Sequence, residues 1–413
     1  MKNAAVAIVF GTILAEDKCT LGNIPMISDI ADAFEILTAI GAKIRRIDKT
    51  TYEIDTTHIN PCSAPYDLVK KFRASYYILG AELGRFGKAK AAYPGGCDIG
   101  IRPIDQHIKG FKALGANVES VSRGGYVDIT TEDGYLYGDS VYLDVVSVGA
   151  TINIMLAACK AKGTTVIDNA AREPHVVDLA NFLNSCGADI SGAGTEVIKI
   201  RGVDKLHGVH YDIIPDMIEA GTYMIAAAAT GGDLTVTNVI PKHLDTVTAK
   251  LLEMGVNVEE FDDAVRVSAF GCSLKGTYVK TAPYPGFPTD MNPQMGVLMC
   301  IAKGESSIRE GVWDNRFKYV DELIRMGAKI KSDSQYAVFT GVSHLHGAPI
   351  SACDLRAGAA FIIAGLMAHG VTEIDHIHHI QRGYEDIVGK LQRVGADITL
   401  RYEPDDAGAL DAI

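Results

Sequence analysis

No run of lysines and arginines interrupts this chain, and no long charged tail ends it. Nucleic-acid binding needs a concentrated basic face, and a net charge of −12 over 413 residues opposes it further. The eight cysteines, at positions 19, 62, 97, 159, 186, 272, 300 and 353, lie far apart with no CxxC pair. Neither a zinc site nor a disulfide framework is indicated, and a reducing cytoplasm fits such spacing. Low-complexity segments are missing, and 14 prolines with an apolar share of 47% describe globular structure throughout. At this length one hydrophobic core usually stops growing, so two domains are expected. One stretch imitates a targeting signal: Lys2 precedes the apolar run Ala4 to Ala15. Cleavage after Ala15 would put Ile13 where a small residue is preferred, which opposes that reading.

What the chain has instead is a repeat. An apolar-periodic helix, a Gly-Ala or Gly-Val pair and a strand-like segment recur at Gly41, Gly115, Gly187, Gly255, Gly327 and Gly395, spaced by 74, 72, 68, 72 and 68 positions. Each glycine suits the left-handed position that ends a helix. Alternation follows it, as in Tyr52-Glu53-Ile54-Asp55 and Val197-Ile198-Lys199-Ile200. Upstream in each unit lies a second helix that is apolar all round: Ala4 to Ala15, Ala74 to Leu83, Ala150 to Ala161, Gly221 to Ala229, Met295 to Ala302 and Ala357 to Ala368. A helix without a polar face belongs in the interior. The pattern predicts six βαβαββ units, three in a domain of residues 1–214 and three in a domain of residues 215–413, with the boundary near Ile214-Pro215. The signal-like stretch is the first buried helix.

The conspicuous polar residues fall at helix starts. Lys2-Asn3, Arg73, Ser147, Asp216, Asp290 and Asp354-Arg356 precede buried helices; Cys97 with Arg102, Arg172-Glu173, His243, Asn315-Arg316 and Arg382-Gly383 precede outer ones. Asp216 and Asp354 read first as N-caps. Arg73, Arg102, Arg316, Arg356 and Arg382 at such positions are together harder to explain structurally, because helix starts favour acids. If the buried helices run parallel, their N-termini converge and offer amide donors to an anion. Cys97 sits in Pro94-Gly95-Gly96-Cys97, five residues before Arg102. It is either an inert free thiol or, on a mobile loop near a cation, a thiol favoured as thiolate. His376, His378 and His379 lack acids at ligand spacing and read as solvated loop residues, so no metal is expected.

These residues carry a resemblance. Lys2-Asn3-Ala4-Ala5, Phe72-Arg73-Ala74-Ser75, Pro94 to Cys97 and Arg102-Pro103-Ile104-Asp105 are similar to motifs of the UDP-N-acetylglucosamine enolpyruvyl transferases. So are Ser147-Val148-Gly149-Ala150, Asn169 to Pro174, Pro285 to Met291, Asn315-Arg316-Phe317, Asp354-Leu355-Arg356-Ala357 and Arg382-Gly383-Tyr384-Glu385. The ordered matches span nearly the whole chain. The resemblance implies the inside-out α/β barrel of the enolpyruvyl transferases, closing on phosphoenolpyruvate and UDP-N-acetylglucosamine, in the first committed step of peptidoglycan synthesis. It implies no cofactor, no membrane and no obligate protein partner.

By the same resemblance Cys97 is the proton donor and the thiol alkylated by fosfomycin. Asp290 takes or orients the hydroxyl proton; Lys2, Arg102 and Arg382 hold the phosphate, and Arg316 and Arg356 face the carboxylate, with Asn3 beside them. The nucleotide sugar is implied to meet Asn3, Arg73, Arg102, Pro103, Ile104, Asp105, Gln106, Val145, Val146, Ser147, Val148, Asp290 and Val312. Two departures stand out. Gln381 precedes Arg382 where the family often has an acid, which would leave that arginine less firmly oriented. Members of the family also carry a further strand ahead of the Lys-Asn pair, which here follows Met1 directly. Lys2 is therefore expected at a frayed terminus and one sheet edge within residues 215–413 unpaired. Two other functions compete: a truncated, catalytically weak homologue that binds the sugar nucleotide, and a 3-phosphoshikimate enolpyruvyl transferase.

Overall fold

The structure is a computed structural model and describes residues 1–92, 103–122 and 125–401. Six helices rich in small apolar residues form its interior: Lys2–Gly11, Tyr77–Phe86, Val148–Ala158, Met217–Thr230, Asn292–Met299 and Leu355–Met367. Having no polar face, they bury nearly every side chain. Small residues let them approach closely. A Cβ on Gly84 would stand 2.7 Å from the Leu156 carbonyl oxygen, so helices Tyr77–Phe86 and Val148–Ala158 touch at backbone distance. Lys2–Gly11 packs against Tyr77–Phe86, while Met217–Thr230, Asn292–Met299 and Leu355–Met367 pack on one another.

Around this interior lie the amphipathic helices Ser28–Ala39, Asp105–Ala113, Pro174–Ser185, Asp245–Glu253, Val320–Arg325 and Ile387–Arg393. The glycine that follows each has φ between 86° and 110°, the left-handed geometry that the repeat predicts. The chain then turns back into small antiparallel sheets whose alternate residues face inward. Cys19 stands opposite Ile54, and Ile167 opposite Ile198, all four fully buried. Helices within and small sheets without make the inside-out α/β fold; none of the six sheets among the described residues closes into a barrel.

The units are not identical. Strands Ser140–Tyr142, Tyr278–Lys280 and Pro349–Ser351 run parallel to the first strand of the third, fifth and sixth sheets, and His210–Asp212 does the same for the first. Among the described residues Lys88–Ala92 and Asp233–Thr237 have no such neighbour. The sixth sheet holds only Pro349–Ser351 and Glu373–Asp375. Among the described residues the last two strands expected of the sixth unit are absent. Residues 397–401 keep the strand-like alternation, but a strand forms only where a neighbour takes its amides and carbonyls, and none of the described residues pairs with them as a strand.

In the second unit a buried acid does the work of a strand. Glu82 accepts hydrogen bonds from the amides of Cys62 (3.1 Å) and Lys90 (3.4 Å), tying the loop before the helix to the strand that leads into residues 93–102. Burial raises its carboxyl to about 7, although the two amides pull the other way. The folded value lies above the unfolded one, so the stability it contributes is full below about pH 4.5 and lost as pH rises through about 7. Urea unfolding should therefore weaken between pH 5 and pH 8 by about 1–3 kcal/mol more in the parent than in Glu82→Gln. Equal pH slopes in the two proteins would contradict this.

Candidate active site

Two cations from distant parts of the chain meet at Asp29, in the first turn of helix Ser28–Ala39. The Lys2 ammonium lies 2.8 Å from its Oδ2, and Arg382 donates through Nε to Oδ1 at 2.9 Å. Lys2 is also fixed through its backbone amide, which donates to Asp216 Oδ2 at 2.8 Å. It is 8% exposed, so the frayed terminus expected from its position does not occur. Nor is Arg382 loose. Gln381 is exposed, and Asp29 supplies the counter-charge from another element. Burial pushes the Asp29 carboxyl up, but Lys2 and Arg382 together outweigh it and hold the group below its ordinary value. At Lys2 burial dominates and, with Arg356 and Arg382 repelling, lowers the ammonium despite Asp29. Two cations thus share the single carboxylate of Asp29, an arrangement that favours an added anion.

A second cluster forms around Asp290, in the turn Thr289–Met291. Arg356 forks onto its Oδ2 through Nε (3.1 Å) and Nη2 (2.9 Å), and Arg316 Nη2 donates to Oδ1 at 3.4 Å. Arg316 also donates through Nε to the Thr289 carbonyl, so the turn and its partner move together. Both arginines are almost fully buried, whereas the Asp290 side chain keeps 32% of its surface. Burial raises its carboxyl; the charges of Arg356 and Arg316 overcome this and hold it far below the ordinary range. Asp354 and Asp216 are N-caps, as their positions indicate: Asp354 accepts from the amides of Arg356 and Ala357, and Asp216 from those of Ile218 and Glu219. The first cap also orients Arg356. Lys2 and Arg356 influence each other's cluster, so the two form one electrostatic site.

The stretches expected to meet the nucleotide sugar are joined by Gln106, which donates to Asp144 Oδ2 (3.2 Å) and accepts from the Asp144 amide (2.9 Å). This brings Asp105 and Ile104 beside Val145 and Val146, which are exposed. Ser147 caps helix Val148–Ala158 by accepting from the Ala150 amide. Behind them His107 is buried and held neutral, its value lowered to about 3 mainly by burial and then by Arg73. Asn153 Nδ2 lies 3.0 Å from its Nδ1; since the amide can only donate there, the ring proton sits on Nε2. Arg73 lies over the Tyr76 ring, Asn3 is half-buried, and Pro103 is exposed. The amide of Val312 donates to Glu310 Oε1 at 2.9 Å, and the Thr289 hydroxyl donates to Glu310 Oε2 at 3.1 Å. Glu310 therefore locks Val312 to the Asp290 turn. Cys97 and Arg102 lie outside the described residues.

Sequence reasoning missed Asp29 and Glu310. Asp29 looks like any acid in a helix's first turn, and only its near-complete burial reveals the two cations it serves. Glu310 follows strand Glu305–Arg309 with no local signal. His376 and His378 are exposed, as expected of solvated residues, while His379 is half-buried beside Arg382. Among the described residues no cluster of three or more potential ligands could hold a metal, and no helix is long and apolar enough to cross a membrane.

The sequence profile described as EPSP synthase (3-phosphoshikimate 1-carboxyvinyltransferase) matches residues 1–391. A UDP-N-acetylglucosamine 1-carboxyvinyltransferase 3 of Caldanaerobacter subterraneus is 54% identical over 397 residues, 96% of this chain and 94% of the relative. A UDP-N-acetylglucosamine 1-carboxyvinyltransferase of Clostridium botulinum is equally similar over 398 residues. The chain belongs to the UDP-N-acetylglucosamine 1-carboxyvinyltransferase family. Among solved structures, the enolpyruvyl transferase NikO from Streptomyces tendae is 28% identical, with a TM-score of 0.86 over 97% of this chain and 94% of that one. An EPSP synthase from Acinetobacter baumannii, 19% identical over 97% of this chain and 95% of that one with a TM-score of 0.74, shares the fold.

Proposed function

We propose that the protein transfers the enolpyruvyl group of phosphoenolpyruvate to the 3′-hydroxyl of UDP-N-acetylglucosamine and releases phosphate. The supporting observation is the convergence of Lys2, Arg316, Arg356 and Arg382 around Asp29 and Asp290, in a chain 54% identical to enzymes named for this activity. A dianionic phosphate and a carboxylate on one three-carbon substrate need two adjacent cation sets, and the two clusters supply them. In this reading Lys2, Arg382 and Arg102 hold the phosphate, and Arg316 and Arg356 the carboxylate, with Asn3 between the substrates.

The sugar hydroxyl oxygen attacks C2 while C3 gains a proton; C3 then loses a proton, the C2–O bond to phosphate breaks and phosphate leaves. Asp290, with its one accessible carboxylate face, accepts or orients the hydroxyl proton. Cys97 delivers the proton to C3. Arg73, Pro103 to Gln106, Val145 to Val148 and Val312 hold the nucleotide sugar. The neutral His107 behind them fits a wall facing uridine rather than phosphate. The same reading places the protein in the cytoplasm and in the first committed step of peptidoglycan synthesis. Phosphate release from phosphoenolpyruvate should require UDP-N-acetylglucosamine and ignore shikimate 3-phosphate; release driven by shikimate 3-phosphate instead would overturn the assignment of the acceptor.

A further inference from the structure

Behind Arg356 lies a polar network that neither cluster uses. Tyr384 (3% exposed), Thr222 and Gln294 come from three separate segments and meet in the core. The Thr222 and Tyr384 hydroxyl oxygens are 3.0 Å apart, and Gln294 Nε2 donates to Thr222 Oγ1 (3.1 Å) and to the Tyr384 hydroxyl (3.3 Å). The Arg356 guanidinium carbon lies 5.6 Å from the centre of the Tyr384 ring, a cation–π contact inside the core.

Counting protons gives this network a direction. The Thr222 hydroxyl spends its proton on the Ile218 carbonyl at 2.7 Å. Tyr384 must then donate to Thr222, because Thr222 has no second proton to give. The phenol oxygen is left as an acceptor, taking one hydrogen from Gln294. Thr222 and Gln294 thereby fix the hydroxyl, and with it the ring that meets the Arg356 guanidinium. Arg356 is gripped by Tyr384 on one side and by Asp290 on the other.

We propose that Tyr384 is a positioning residue, set by Thr222 and Gln294, that fixes the Arg356 guanidinium for the substrate carboxylate. This rests on the reading of Arg356 given above. Tyr384 is two residues from Arg382, so one short segment, Arg382-Gly383-Tyr384, sets the spacing between the phosphate and carboxylate sites. Gly383 permits this: a Cβ there would stand 2.8 Å from a Leu355 methyl group.

The test is steady-state kinetics of Tyr384→Phe, Thr222→Val, Thr222→Ser and Arg356→Lys, with thermal midpoints to report folding. Tyr384→Phe frees the ring from Thr222 and Gln294 and should raise the KM for phosphoenolpyruvate about three- to fivefold, while changing the KM for UDP-N-acetylglucosamine less than about twofold. Inhibition by inorganic phosphate, which has no carboxylate, should stay at the parental level. Thr222→Val should shift the phosphoenolpyruvate KM in the same direction, and Thr222→Ser should restore it. If Arg356→Lys impairs phosphoenolpyruvate use but Tyr384→Phe keeps the parental KM, or loses only its folded fraction, Tyr384 does not position Arg356. If Arg356→Lys itself keeps the parental KM, the reading of the carboxylate site fails instead.

Discussion

Replacing Asp29 by asparagine should cost the protein both turnover and stability, the latter by about 3–5 kcal/mol. Asp29 is 2% exposed and neutralises two cations that are themselves largely buried. The amide keeps the shape of the side chain but removes its charge, which leaves Lys2 and Arg382 facing each other uncompensated. Turnover should fall about a hundredfold, since both groups shift from the positions in which they meet a phosphate. The pH dependence has a definite sign. Asp29 titrates below its ordinary value of 3.8, so the stability it contributes is present above that pH and lost as pH falls through the folded value. Parent and variant should therefore converge in strong acid. Added inorganic phosphate should raise the melting temperature of Asp29→Asn more than that of the parent, because an anion replaces the missing charge. Equal melting temperatures without phosphate would show that Asp29 is not the anchor of this pocket.

Asp29 also marks how far the sequence could be read. The repeat was legible because its signals are local: a helix apolar on every side must be buried, and a glycine at a fixed offset must end a helix. Gly41, Gly115, Gly187, Gly255, Gly327 and Gly395 all adopt the required backbone. Asp216 and Asp354 were legible as caps for the same reason, since a cap bonds amides two and three residues onward. The partners of Asp29 lie 27 and 353 residues away, and nothing in a helix's first turn announces them. Glu310, which binds the Val312 turn to the Asp290 turn, was hidden likewise. The sixth unit shows the opposite failure. Residues 397–401 have the alternation of a strand, but alternation records only which face would be buried. Pairing requires a neighbour, and that is a property of the whole fold.

The second large effect concerns Asp290, and it should run in two directions at once. In the free protein this carboxylate occupies both arginines proposed to receive the substrate carboxylate, Arg356 on one oxygen and Arg316 on the other. Phosphoenolpyruvate must displace it. Asp290→Asn should therefore bind phosphoenolpyruvate several-fold more tightly in the absence of sugar nucleotide, because the amide competes weakly for guanidinium groups. Turnover should nevertheless fall about 10²- to 10⁴-fold, since the amide cannot accept the hydroxyl proton. Trp313, the single tryptophan of the chain, adjoins Val312 on the Glu310 turn and offers a fluorescence readout of binding. Unchanged or weaker phosphoenolpyruvate binding by the variant would mean that Asp290 does not hold the arginines in competition with substrate. The competition also has a chemical use. Arg356 and Arg316 are what depress the Asp290 carboxyl, and a carboxylate so stabilised is a poor base. When the substrate draws the arginines away, that depression is relieved and the affinity of Asp290 for a proton rises. In the proposed mechanism Asp290 is then armed as a base only when phosphoenolpyruvate is in place to receive the attack of the sugar hydroxyl.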